Sequence, residues 1–327
     1  CDNSCAFCIV PSVRGKEISR PYNELISEVE QLAMAGVTEV TLLGQNVNSY
    51  GRDLTLKLRG TEVSAESSEL VGEAWVRGPH TARPLFSDLL SSVAEVTGIR
   101  RVRYTSPHPK DLRPETIDAM AQVPEVCEHL HLPLQSGSDD VLSAMHRGYT
   151  ADKYIEKVDA ARQQIPDLAL STDIIVGFPG ETDVDFERTL EVAAEVRFDN
   201  AYTFVYSPRP GTEAAELVQR FVPAKVSAER MERLRRVIER TSLKGNESRI
   251  GHDEEVIVEG QSKRDSEMLT GRTRHNRLVH FPAQEKIRPG SYAQVRVTGA
   301  RTFNLVGELL EVTAAAKHRT RIPVVSS

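Results

Sequence analysis

From residue 21 to residue 206 the chain repeats one unit: a short apolar strand, a turn rich in Gly, Pro, Asn or Ser, then an amphipathic helix. Leu25, Val29, Leu32 and Ala33 form the first helical stripe, which ends at Gly36. A strand follows at 38–43 and runs into Gly44-Gln45-Asn46. Further strands are expected at 101–105, 129–134, 168–176 and 201–206, separated by helices at 85–96, 114–122, 138–145, 151–165 and 183–196. Units of this size imply an α/β fold with a parallel sheet and helices packed outside it. The right-handed crossover rule curls such a sheet into a barrel or a wound open sheet. Sites in these folds gather at the carboxyl ends of the strands, and each unusual motif of this chain stands just after a predicted strand.

Residues 52–84 break the pattern, with many Ser, Glu, Arg and Gly and no clear period, and read as a mobile surface insertion. A long charged helix is expected at 227–241, with Met231, Leu234, Val237 and Ile238 on one side. Beyond it the texture changes to short strands at 255–259, 268–272, 277–281, 292–298 and 305–311, a small β-barrel of a kind often used on nucleic acids. The chain divides accordingly into 1–241, 242–313 and a patternless tail, 314–327. The net charge of −6 hides a local surplus, because residues 262–301 carry nine Lys and Arg against three acids. That patch either faces phosphate or is a solvated basic surface.

With 39% hydrophobic and 27% charged residues, the composition is that of an ordinary globular protein. No apolar run reaches membrane-spanning length and no secretory segment is visible. Four cysteines, three of them clustered, point to a reducing compartment and hence a cytoplasmic location. The three are Cys1, Cys5 and Cys8, spaced Cys-x₃-Cys-x₂-Cys. A structural zinc site takes four ligands and an ordinary cubane iron–sulfur cluster takes four cysteines. A cubane held by three leaves one iron free for another ligand. A zinc knuckle completed by Cys127 or a histidine is the alternative. Residues 171–182 run from a strand containing Asp173, costly there unless paired or facing a site, into the turn Gly177-Phe-Pro-Gly180. Gln135 and Ser136 follow another strand, and Gln135 is preferred to His131 as a site residue. In 206–212, Tyr206, Arg209 and a Pro-Gly turn suit a splayed base and its phosphate.

In order, these motifs are Cys-Asp-Asn-Ser-Cys-Ala-Phe-Cys, Gly-Gln-Asn-Val-Asn-Ser-Tyr-Gly51, Ser-Pro-His-Pro109, Leu-Pro-Leu-Gln-Ser-Gly137, Met-His-Arg-Gly-Tyr149, Gly-Phe-Pro-Gly-Glu-Thr182 and Tyr-Ser-Pro-Arg-Pro-Gly-Thr212. Together they resemble the methylthiotransferase family of radical S-adenosylmethionine (SAM) enzymes, on the branch that modifies a prenylated adenosine of tRNA. The likeness covers essentially the whole chain, and the terminal barrel resembles that family's RNA-binding TRAM domain. The resemblance implies a partial parallel (β/α) barrel and a methylthio group added to C2 of N6-dimethylallyladenosine at position 37 of tRNA. It implies Cys1, Cys5 and Cys8 as ligands of a [4Fe–4S] cluster that binds SAM. It places Gly44, Gln45, Ser106, Gln135, Asp173 and Gly177 along the SAM cleft, with Phe7 shielding the cluster. Arg209, Arg272, Arg274 and Arg277 are the candidate RNA contacts.

The implied partners are tRNA and an electron donor such as flavodoxin or ferredoxin, with the protein acting as a monomer and away from membranes. The family also carries an amino-terminal domain whose three cysteines hold a second [4Fe–4S] cluster, and a first barrel strand leading into the cysteine loop. Neither is seen here, so the chain is expected to be a truncated piece that cleaves SAM without completing methylthiolation. Two other readings stay open: a zinc-stabilised RNA-binding protein without catalysis, and a methylthiotransferase for another modified adenosine.

Overall fold

The computed structural model describes residues 1–263, 265–282 and 287–317. Arg264 and Lys286 of the basic patch, and most of the expected tail, lie outside the described residues. Five parallel strands form the first body: β1 (Glu39–Leu42), β2 (Arg101–Tyr104), β3 (His129–His131), β4 (Ala169–Val176) and β5 (Asn200–Val205). β1 pairs with β2, and β3, β4 and β5 pair in turn. A bridge between Val102 and Val126 joins the two groups, with Cys127 N–H donating to the Val102 carbonyl at 3.0 Å. The result is the partial (β/α) barrel that the resemblance implies, one of the two forms the repeat allows, with its strands in sequence order.

Helices α1 (Val10–Arg14) and α2 (Tyr22–Met34) precede β1. α3 (Arg52–Lys57), α4 (Ala65–Val71), α5 (Glu73–Val76) and α6 (Phe86–Ala94) lie between β1 and β2. α7 (Pro114–Gln122) leads to β3, α8 (Asp139–Ala144) and α9 (Ala151–Gln164) lead to β4, and α10 (Asp183–Val196) leads to β5. α11 (Glu213–Glu216) and α12 (Ala224–Glu247) close the body. Strand alternation sorts the sheet's two faces. On β4, Leu170, Ile174 and Val176 are buried in the core with Val158, Phe186 and Val192 of the helices. Ser171, Asp173 and Ile175 take the other, concave face, which they share in register with His131, Tyr202 and Phe204.

The 52–84 segment corrects one expectation. It is folded as α3, α4 and α5 around its own small core of Leu54, Val71, Trp75 and Leu85. Its base is closed by Leu85 N–H donating to the Tyr50 carbonyl at 2.7 Å, so the excursion starts and ends at one point. Helices of four to seven residues are too short to display a period, which is why the pattern read as irregular.

α12 runs further than expected at both ends. Its buried stripe Leu234, Ile238, Ser242, Asn246 keeps four-residue spacing, but its last two members are polar and hide the continuation. Asn246 is buried because it works: its Nδ2 donates to the Arg301 and Thr302 carbonyls at 2.7 and 3.1 Å.

The second body is a closed five-stranded barrel of β6 (Asp253–Gln261), β7 (Met268–Thr273), β8 (Leu278–Pro282), β9 (Tyr292–Ala300) and β10 (Leu305–Ala314). Its interior holds Val256, Val258, Val279, Phe281, Val295, Val297 and Leu305. The turn between β7 and β8 fits against the amino end of the half-barrel. Arg103, on the concave face of β2, donates to the carbonyls of Thr273 and Arg274 at 2.7 and 2.9 Å. Arg101, fully buried, donates to the Arg272 carbonyl at 3.0 Å and to the Glu255 carbonyl and carboxylate at 2.7 and 2.9 Å. Arg274 reaches back to the Glu128 carboxylate and to the carbonyls of Pro124 and Val126. Arg277 pairs with Asp199 and Asn246. Two of the expected RNA contacts, Arg274 and Arg277, therefore face inward and hold the two bodies together. Charge count alone does not reveal this, because a basic run reads the same whether it meets phosphate or carbonyl oxygens.

Replacing Arg103 by Met keeps the stem but leaves two buried carbonyls and Glu39 without their donor. The expected loss of stability is about 3 kcal/mol, read by chemical denaturation. Arg296→Met, on the exposed Arg296–Asp253 pair, is expected to leave the unfolding midpoint unchanged.

Candidate cluster loop and cofactor cleft

The cysteine loop is anchored through its backbone. Ala6 is buried; its N–H donates to the Met145 carbonyl at 3.1 Å, and its own carbonyl accepts from Ala214 N–H at 2.9 Å. The Ser4 carbonyl lies 3.1 Å from His146 Nδ1, and Cys8 N–H closes a turn onto the Cys5 carbonyl at 3.0 Å. Phe7 meets Phe178 edge-on at 6.5 Å, Phe178 meets Tyr206 at 5.5 Å, and Tyr206 meets Phe221 at 5.8 Å. One run of rings thus ties the cysteine loop to the turn after β4 and to the motif after β5. The loop stands over the carboxyl ends of the strands, where the sequence motifs placed the site.

The three thiols are free and half-buried. They are not gathered: among the described residues no three His, Cys, Asp or Glu side chains converge as a metal-holding group. The donor chemistry nevertheless suits a cluster, with three thiols on one eight-residue loop whose backbone is anchored at Ser4, Ala6 and Cys8. Ligand sets of this kind commonly converge only when the metal enters. Cys127 is no fourth member. It is buried at the amino end of β3, among Arg103 and Arg274, at the opposite end of the strands from the loop. A zinc knuckle completed by Cys127 is therefore excluded by placement.

The strand-end residues fall into two groups. Gly44 and Gln45 line, with Cys1, a groove of about 640 Å³ along the open edge of β1. Gln135, which follows β3, Asp173 on β4 and Gly177, just after β4, lie across the sheet and do not line that groove. Gln135 N–H donates to the Asp173 carbonyl at 2.8 Å. Asp173 is paired, its Oδ2 lying 3.5 Å from His131 Nε2, while His131 Nδ1 and His129 Nε2 each lie 3.0 Å from Ser171 Oγ. His131 is thus the structural partner and Asp173 the group it holds on the concave face. Gly177 has φ +73°, and a Cβ there would come within 2.3 Å of Ser227 Oγ on α12. Its N–H is already taken by Glu181 Oε1 at 3.0 Å, and Glu181 is buried against Arg230 at 2.7 Å. Gly177 shapes the turn rather than offering its amide.

Backbone strain marks the same region. Six described residues other than glycine have positive φ, and three of them, Ser106 (+61°), Gln135 (+67°) and His146 (+58°), stand at strand ends or beside the cysteine loop. Such conformations persist where surrounding structure enforces them and cluster at functional sites. Ser106 and Gln135 were both singled out from sequence. Asn46 and Asn48 are structural: Asn48 exchanges hydrogen bonds with the His108 backbone at 2.9 and 3.1 Å, and Asn46 Nδ2 donates to Asp111 at 2.7 Å. Arg209 is exposed and Arg272 half-buried against Glu259. Sequence reasoning missed Arg147, buried with its Nη1 3.3 Å from Cys5 Sγ. Its signal lay in the Met-His-Arg-Gly-Tyr motif, which no function had claimed.

Residues 1–193 match the family model described as the radical SAM superfamily, and residues 247–310 match that of the TRAM domain. A tRNA-2-methylthio-N(6)-dimethylallyladenosine synthase of Moorella thermoacetica is 45% identical over 311 residues, covering 95% of this chain and 64% of that protein. Proteins of the same name from a Mycobacterium species and from Carboxydothermus hydrogenoformans are 44% and 43% identical, covering 94% and 95% of this chain and 60% and 64% of theirs. The chain thus spans a little under two thirds of the length of the curated relatives it matches.

Two measurements probe this region. Gln135→Gly relieves the left-handed backbone and is expected to hold stability within about 1 kcal/mol, whereas Gln135→Val adds β-branched strain and is expected to cost about 2 kcal/mol, both read by urea denaturation. His108 is buried, and burial, with Arg147, Lys110 and Lys157 nearby, holds its ring down at about 3. The folded state then binds fewer protons than the unfolded state below the ordinary histidine range. Stability is expected to fall by about 1.4 kcal/mol per pH unit from this residue as pH drops from about 6.5 towards 3. His108→Gln should flatten that slope, and an NMR titration should find the His108 ring neutral at pH 5.

Proposed function

The chain belongs to the radical SAM superfamily, and we propose that it is the cofactor-binding and RNA-contacting part of a tRNA methylthiotransferase. Its reaction would add a methylthio group to C2 of N6-dimethylallyladenosine at position 37, beside the anticodon. What carries the reading is the extent of the likeness: 45% identity across 95% of the chain, through both the half-barrel and the terminal barrel, to a protein named for that product. Superfamily membership brings a [4Fe–4S] cluster and SAM as cofactors.

In this reading Cys1, Cys5 and Cys8 hold the cluster, whose chemistry when bound and reduced is to deliver one electron to the SAM sulfonium. The protein's own part is binding and exclusion. Gly44 and Gln45 present a flat edge and an amide beside Cys1. Ser106 and Gln135, held in strained backbone, present polar groups at fixed positions without adding charge. Asp173, oriented by His131, offers an acceptor on the concave face to a cationic or hydroxylated part of the ligand. Phe7 and Phe178 keep water from one side of the loop. The partner is tRNA, met by the terminal barrel and by Arg209 beside Tyr206 and by Arg272, while Arg274 and Arg277 act by fixing the barrel in place. A small electron-transfer protein such as flavodoxin or ferredoxin supplies the reducing electron. A second [4Fe–4S] cluster, held elsewhere in the longer protein, serves the sulfur-transfer half. In this reading the protein works as a monomer in the cytoplasm; among the described residues no helix is long and apolar enough to cross a membrane.

Anaerobic reconstitution with iron and sulfide, followed by dithionite and SAM, is expected to yield 5′-deoxyadenosine from the chain. Cys5→Ala should abolish it together with most of the bound iron. Nucleoside mass spectrometry of tRNA from a strain lacking the full gene should show the prenylated adenosine without its methylthio group. Zinc loading with no iron, or unchanged tRNA nucleosides, would sink the proposal.

A further inference from the structure

Arg147 is a buried cation without a carboxylate. Its side chain is almost wholly enclosed, and among the described residues no acidic group lies within ion-pair distance of it. Its polar contacts are Tyr149 and Cys5: Nε donates to Tyr149 Oη at 3.2 Å, and Nη1 points at Cys5 Sγ at 3.3 Å. A buried guanidinium with no counter-charge is strongly disfavoured, so the anion that balances it must be supplied by the group it faces. That group is a thiol, which becomes an anion as a thiolate ligand.

The placement is built rather than incidental. His146 (φ +58°) and Gly148 (φ +70°) are both left-handed and turn the chain sharply on either side of Arg147. Met145 and His146 bond to Ala6 and Ser4, the two neighbours of Cys5, at 3.1 Å each. Tyr149 Oη is fixed in turn by the carbonyls of Pro133 and Leu134 at 3.0 Å. The segment after α8 is thereby clamped to both flanks of Cys5, with the guanidinium set between. The other two sulfurs lack such a partner: Cys1 Sγ has only the Asn3 amide at 3.5 Å, and no described side chain donates to Cys8 Sγ.

We propose that Arg147 is the charge partner of the Cys5 sulfur, donating a hydrogen bond to the thiolate when the loop holds a cluster and so raising the cluster's reduction potential. The inference rests on the cluster reading of the three cysteines. Charge-assisted hydrogen bonds are the stronger class, and hydrogen bonds to ligand sulfur are a principal lever on iron–sulfur potentials. Electron density drawn from one thiolate favours the reduced cluster, whose extra negative charge a fixed cation stabilises. Arg147 is a positioning and tuning residue, since it acts on the cluster only through Cys5.

The test is an EPR-monitored redox titration, without SAM, of the iron-reconstituted chain and its Arg147→Met, Arg147→Lys and Tyr149→Phe variants, with iron per chain and circular dichroism measured alongside. In Arg147→Met the reduction equilibrium is expected to shift about tenfold towards the oxidised cluster, ~59 mV for a one-electron couple. Arg147→Lys should recover part of the shift. A folded Arg147→Met chain that takes up no iron while Arg147→Lys does supports the same role. If Arg147→Met does not fold, Tyr149→Phe, which frees the guanidinium from its anchor, is expected to move the midpoint in the same direction by less. An unchanged midpoint in the folded Arg147 variant, or in Tyr149→Phe where that variant stands in, overturns the inference alone. If the parent chain takes up no iron, the cluster reading falls and this inference with it.

Discussion

Arg101 and Arg103 project from β2 onto the concave face of a half-barrel, where neither guanidinium has water to solvate it. Two cations there are tolerable only if carbonyl and carboxylate oxygens are brought to them. The turn between β7 and β8 brings them: the carbonyls of Arg272, Thr273 and Arg274, with Glu255 from β6. The turn's own arginine, Arg274, answers with bonds to Glu128 and to carbonyls at the start of β3. Desolvating either side without the other would leave buried charge unpaired, so the two bodies hold a single relative position. This places the terminal barrel at the amino end of the strands, while the cysteine loop sits at the carboxyl end. β4 has eight residues, so the two ends are separated by about 26 Å. An RNA engaging both must span the depth of the half-barrel along its outside or across its open edge.

How much of this was legible in the sequence follows from which features are local. The alternation of strand and helix depends on periodicity within a few residues, and α7 and α10 coincide with their expected bounds while the five parallel strands stand close to theirs. The five terminal strands were legible for the same reason, four of them running one to four residues longer than expected and β8 shifted by one. α12 was read short at its carboxyl end because Ser242 and Asn246 carry its buried stripe with polar side chains, and the partners of Asn246, on the β9–β10 connection and on Arg277, are remote in sequence. The 52–84 segment failed for want of length in its helices. The direction of Arg274 and Arg277 failed because an inward and an outward arginine are the same letter, and only the acidic and carbonyl groups of another domain distinguish them.

The candidate site shows the same division. Asp173 in an apolar strand signalled that it was either paired or functional, and it is paired with His131 while still facing the concave surface. Gln135 is preferred to His131 on chemistry alone; the structure adds that its backbone is left-handed, φ +67°, a conformation that persists only where the surroundings enforce it. The two asparagines after β1 are staples between loops, Asn48 closing on the His108 backbone in both directions. What separates a ligand-facing amide from a structural one is whether its partners are already on the chain, a three-dimensional fact.

The state of the cysteine loop follows from electrostatics as much as from packing. Three thiolates brought within a few ångströms repel one another strongly wherever water is partly excluded, so gathering three such ligands calls for a cation to bridge them. The fold does not oppose that repulsion directly. It fixes the backbone instead, at Ser4, at Ala6 on both its N–H and its carbonyl, and through the ring of Phe7, so that convergence needs only side-chain rotation and little movement of the chain. It also sets one guanidinium, that of Arg147, 3.3 Å from Cys5 Sγ. On the proposed cluster reading, a loop arranged in this way would keep its three cysteines poised at low conformational cost and leave their gathering to the ion whose charge makes it favourable.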